Sequence, residues 1–131
     1  MRAGRVLRQI VIARLRDQIP GVPVVDKPTE KTPMPYIVIG PSYWISADAE
    51  CIEARDITLQ VDAYDSASSK GKLEDLVDDI TTALRGWADQ VALTMHPMRV
   101  SLARVMEDPS GGVHGVVQVE AMVEGDGPAQ P

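Results

Sequence analysis

Between residues 2 and 18 the apolar side chains Val6, Leu7, Ile10, Val11 and Leu15 recur every three or four positions, the spacing that gathers them on one side of an α-helix. Ile19-Pro20-Gly21 stops that helix. Residues 20–35 hold five prolines, Pro20, Pro23, Pro28, Pro33 and Pro35, each lacking an N–H donor, and predict an extended connector with at most a short strand at Val24-Val25. Tyr36-Ile37-Val38-Ile39, closed by Gly40-Pro41, reads as a buried strand, and residues 41–54 as a loop or a ragged extension of it.

From residue 55 to 65 the alternation is regular, with Ile57, Leu59, Val61 and Ala63 against Thr58, Gln60, Asp62 and Tyr64, which predicts a half-buried strand. A polar loop then leads into a second helix over residues 70–85, whose stripe is Leu73, Leu76, Val77, Ile80 and Leu84. Gly86 supplies its C-terminal cap, and Trp87 is placed to pack at the end of the stripe. Two further strands, residues 98–106 and 113–124, are joined by the turn sequence Asp108-Pro109-Ser110-Gly111-Gly112 and predict an antiparallel hairpin. The order helix, strand, strand, helix, strand, strand defines an α+β fold: a mainly antiparallel sheet of four strands or slightly more, with two helices packed on one face. Residues 1–124 are expected to form one domain and residues 125–131 a disordered tail.

The first helix does not fit its stripe cleanly. With Leu7 at the centre of the buried face and steps of about 100° per residue, Arg14 falls inside the apolar arc and Ile12 outside it, among Arg5, Arg8 and Arg16. Either Arg14 snorkels and Ile12 is an ordinary exposed apolar residue, or Ile12 and the arginines meet another subunit.

Composition and charge narrow the function. Phe is absent and five aromatic residues occur in 131, so the core is aliphatic and base-stacking surface is scarce. The formal charge of -6 opposes general nucleic-acid binding, yet Arg2, Arg5, Arg8, Arg14 and Arg16 cluster at the start and nothing after Arg104 is basic. The chain has a basic head and an acidic body. Its single cysteine, Cys51, excludes an intrachain disulfide, and no apolar run approaches the roughly 20 residues of a membrane span. Synthesis in a reducing cytoplasm without export follows as the expectation.

Candidate chemistry is sparse. Asp75 and Asp79 sit one helical turn apart, but with Glu74 and Asp78 they form a solvated face. His96 and His114 lack metal-ligand spacing. Ser68-Ser69-Lys70-Gly71-Lys72 lacks the phosphate-loop pattern, and N-capping by Ser69 or a nearby serine explains it better. Asp48 and Glu50 beside Cys51 disfavour a reactive thiolate. No catalytic group, cofactor or metal is therefore expected. The run Tyr43-Trp44-Ile45 stands apart, since three large apolar residues in a polar loop must be buried either against their own core or in a partner, where Trp and Tyr are favoured anchors.

An N-terminal helix, Pro35-Tyr36-Ile37-Val38-Ile39-Gly40, a polar stretch ending near Cys51, the strand Ile57-Thr58-Leu59-Gln60-Val61-Asp62-Ala63-Tyr64 and a helix ending Leu84-Arg85-Gly86 occur in that order. They are followed by a strand through Arg104 and Val105, an acidic turn at Glu107-Asp108, and a closing strand from His114-Gly115 to Val123-Glu124. Over roughly residues 3–124 this arrangement resembles the tail-completion, or tail-terminator, proteins of long-tailed bacteriophages and phage-derived particles such as gene transfer agents. Only Tyr64 stands in the central strand where that family has further aromatics.

The resemblance implies a non-enzymatic protein of the virion tail end or neck, made in the bacterial host cytoplasm. Such a protein caps the tail tube, ends its polymerisation and joins it to a head connector or stopper protein. It implies a homo-oligomeric ring, commonly hexameric, with DNA free to pass through it, and neither membrane nor sequence-specific nucleic-acid binding. Within that picture Arg5, Arg8, Ile12 and Arg16 are expected to close the ring against Asp48, Glu50, Glu53, Asp56, Asp62 and Asp65 of the next subunit, with the proline-rich connector and the loop of Tyr43, Trp44 and Ile45 as docking arms ordered on assembly. A small α+β ligand-binding or regulatory module is the alternative; rings or tubes against a compact, metabolite-stabilised monomer or dimer separate the two.

Overall fold

The computed structural model describes residues 2–49, 52–66, 68–109 and 111–125. Cys51, Glu50 and all of the predicted tail except Gly125 lie outside the described residues.

Helix α1 spans Ala3–Gln18 and buries Ala3, Leu7, Val11 and Leu15, a strict every-fourth-residue row, while Val6, Ile10 and Ile12 pack partly buried against the core. After the connector come β1 (Val24–Val25), β2 (Tyr36–Ser46) and β3 (Ala54–Asp65), then α2 (Lys70–Leu84), β4 (Thr94–Met95), β5 (Arg99–Glu107) and β6 (Val113–Glu124). The strands form one sheet of six in the order β1-β2-β3-β6-β4, with β5 also on β6. β1 runs parallel to β2 and every other pair is antiparallel. The sheet is therefore mixed and six-stranded, where a mainly antiparallel sheet of four strands or slightly more was expected. The short strand allowed at Val24-Val25 forms as β1, parallel to β2, and β4, too short at two residues to display alternation, is the unannounced addition.

Ile57, Leu59, Val61 and Ala63 of β3 face the same side as Ile37 and Ile39 of β2 and as Val117, Val119, Ala121 and Val123 of β6, and on that side they meet Leu7, Val11, Leu73, Val77 and Ile80 of the helices. Gly115 of β6 lies under α2. A Cβ there would come within 2.5 Å of Val77 Cγ2, so glycine sets how closely the helix approaches the sheet. α2 ends one residue before the predicted end: Arg85 is the C-cap, its N–H donating to Thr81 O, and Gly86 follows at φ 74° with its N–H donating to Met98 O. At the other end Ser69 occupies the N-cap position but its Oγ pairs with Ser66 Oγ at 3.1 Å, so the expected side-chain cap is not made.

Of the two readings of residues 41–54, β2 takes the strand extension as far as Ser46. It continues past Gly40-Pro41, which forms a β-bulge where the register steps from Ile39 opposite Val61 to Ser42 opposite Leu59. Two features fit the kink. Proline is tolerated at a bulge, where its missing N–H leaves no gap in the ladder, and a Cβ at position 40 would collide with Asp62 Oδ2.

Candidate assembly interface

The predicted contact residues separate into two groups. Arg8 donates from Nη1 to Ile39 O at 3.1 Å and from Nη2 to Gly40 O at 2.9 Å, and pairs with Asp26 at 3.4 Å. Arg16 donates to Val24 O at 2.8 Å. Arg14 donates from Nε to Ala83 O at 2.9 Å and lies over the Trp87 ring, so it bridges the two helices instead of snorkelling to solvent. Three arginines of the basic head thus bind their own chain, and the connector is pinned within the subunit by Arg8, Arg16 and its pairing with β2, which corrects the expectation of a docking arm ordered only on assembly. Ile12, placed outside by the helical wheel, is partly buried against the core. Arg5 is exposed, and no hydrogen bond or ion pair holds it to the described residues.

The acidic stretch is also largely committed. Asp62 is 5% exposed, accepts a hydrogen bond from Gln60 and lies 2.8 Å from His114 Nε2. Asp65, buried too, accepts from the N–H of Ser66, and Asp48 from that of Ala54 at 2.8 Å. Asp56 pairs with Arg99. Burial removes Asp62 and Asp65 from any ring contact, which corrects the expectation for those two residues. Tyr64 stacks on His114 with ring centroids 4.3 Å apart. Burial first, and the Asp62 charge second, hold its phenol above the ordinary tyrosine value of 10.0. A raised folded pKa leaves stability intact below about pH 10 and erodes it as pH climbs towards the folded value. Tyr64→Phe is expected to flatten that alkaline loss in unfolding midpoints measured above pH 10.

Tyr43, Trp44 and Ile45 lie on neither the helix-covered core nor a loop. They are 60%, 48% and 61% exposed on the outer half of β2, beyond the reach of β1. Trp44, opposite Ile57, points to the helix side and lies against the Arg55 guanidinium, 3.8 Å from ring centre; Tyr43 and Ile45 point to the face without helices. That outer edge pairs with no strand of the described residues. Arg8 caps the carbonyls where β1 ends, and the open edge begins just beyond. Residues 42–46 carry no charge, proline or glycine, the features by which soluble proteins blunt an edge. β5, at the opposite side of the sheet, is the second open edge; its contribution was invisible in sequence because only pairing reveals which strand is last. Among the described residues no group of three or more His, Cys, Asp or Glu is placed to hold a metal ion, and no helix is long and apolar enough to cross a membrane.

An α+β sheet with one helix-covered face and two edges that pair with no further strand of the described residues is a scaffold for assembly, and the comparisons with known proteins agree with it. The fold is shared with a chain in a structure titled "Virion of native gene transfer agent (GTA) particle", at TM-score 0.79 and 16% identity, over 91% of this chain and 95% of that one. No curated protein sequence matches. Residues 10–124 match the family described as tail completion protein gp17, and the chain belongs to that family. It is a structural protein of the virion tail.

Proposed function

We propose that the protein caps the finished tail tube, ends its polymerisation and joins the tail to the head connector, acting as a homo-oligomeric, hexameric ring and not as an enzyme. The observation that carries this reading is the pair of unlike, unpaired sheet edges on a tail-completion fold, the uncharged outer half of β2 and the charged β5. A ring needs a heterologous contact, in which one surface of each copy meets a different surface of the next. Tyr43, Trp44, Ile45 and Arg5 are the exposed members of the proposed contact set. Arg8, Arg16 and Ile12 serve it indirectly, by fixing α1, the connector and the start of the open edge.

Particles assembled without the protein are expected to carry overlong tubes and untailed heads. Added back to tubes, it is expected to form sixfold rings at one end by negative-stain imaging. Tubes of normal length in its absence overturn the reading.

A further inference from the structure

We propose that subunits join by edge-to-edge strand pairing, the outer half of β2 in one copy adding antiparallel to β5 of the next, so that one sheet continues around the ring. The inference rests on the ring reading above. Three independent features favour β5 of a second copy as the occupant of the β2 edge.

Strand direction is the first. β2, β3, β6 and β5 alternate in direction, so β5 runs opposite to β2; rotation about an axis along the strands preserves direction and brings β2 beside β5 antiparallel.

Backbone polarity is the second. Ala47 N–H donates to Ala54 O, so by alternation Ser42, Trp44 and Ser46 turn their N–H and C=O groups outward. Asp108 N–H donates to Gly112 O, so Ala103 and Val105 of β5 likewise turn outward. These outward residues of both strands also share the helix side of the sheet, as their partners Leu59, Ile57, Val117 and Gly115 require. Hydrogen-bond phase and side-chain face therefore match at once, with no slip of one residue.

Side-chain fit is the third. Trp44 opposite Ala103 sets the largest side chain against a small one, beside an open groove of about 360 Å³ between β5 and α2, whose α2 wall is Val77 with Lys70, Glu74 and Asp78. In that register Ile45 falls opposite Leu102, itself 43% exposed, and Tyr43 opposite Arg104. The acidic end of the β2–β3 hairpin, with Asp48, comes towards the Arg99 end of β5.

The register also puts Ser42 opposite Val105, at about 5.5 Å between Cα atoms, within disulfide reach. In a Cys51→Ser background, Ser42→Cys with Val105→Cys is expected to give, on oxidation of assembled tails, a denaturation-resistant ladder ending in one closed ring. Each single variant gives none. Rings seen by imaging without the ladder, or a covalent dimer from Ser42→Cys alone, overturn the strand pairing and leave the ring reading standing; tails on which the uncrosslinked parent forms no ring overturn both. Ala103→Trp, exposed and outside the core, is expected to keep the monomer's unfolding midpoint and abolish the ladder; an undiminished ladder contradicts the pairing.

Discussion

Gly115→Val is expected to destabilise the domain by about 3 kcal/mol, the upper part of the usual range for overpacking a core. The new side chain would start within 2.5 Å of Val77 Cγ2 and 3.6 Å of Leu73 Cγ. Both residues are essentially buried on α2, and β6 is held in register by β3 on one side and β5 on the other, so neither layer yields cheaply. The helix must rise, opening a gap along the contact that Ile80 and Leu84 also make with the sheet. Gly71→Ala provides the contrast. That glycine lies near the start of α2 with open space around its would-be Cβ, and alanine there is expected to stabilise by up to about 1 kcal/mol. Chemical denaturation of the two variants should move the midpoints in opposite directions.

The second large effect is the double charge reversal Arg8→Glu with Arg16→Glu. It removes three guanidinium-to-carbonyl hydrogen bonds, to Ile39, Gly40 and Val24, and sets carboxylates against those oxygens. With hydrogen bonds to charged groups worth about 1.5–3 kcal/mol each and partial exposure discounting that, a loss of roughly 3 kcal/mol is expected. It should be accompanied by faster proteolysis in residues 20–35, measured by limited digestion. Ring loss in this variant would report a loosened connector, not a broken subunit contact. Arg5→Glu separates the two, since it is expected to change stability by less than about 0.5 kcal/mol while altering assembly only if the charge of α1 faces a neighbour.

The second result turns on a property of the first helix. Two of the three arginines expected on the docking face tie α1 to its own chain, Arg8 to carbonyls 31 and 32 residues away and Arg16 to Val24 O, 8 residues away. A helical wheel ranks residues by angle around one axis, so it assigns to solvent any side chain whose partner arrives from elsewhere. Strand alternation has a like blind spot: it sets Asp62 on the polar face of its strand, yet Asp62 is buried and lies 2.8 Å from His114 Nε2 of β6.

Periodicity alone determined the helices over Ala3–Gln18 and Lys70–Leu84, the central strand and the final hairpin, because each is long enough for its apolar spacing to repeat. The order of those elements also sufficed for the tail-completion resemblance that the family match bears out. Only tertiary structure decided that Gly40-Pro41 is a bulge and not a strand end, that two-residue strands widen the sheet, and that Tyr43, Trp44 and Ile45 stand on an open edge. The physical reason is that strand pairing and edge status belong to the neighbours a strand acquires. A bulge shifts the alternation by one residue, so residues 42–46 continue the strand in a phase that the run before Gly40 does not announce.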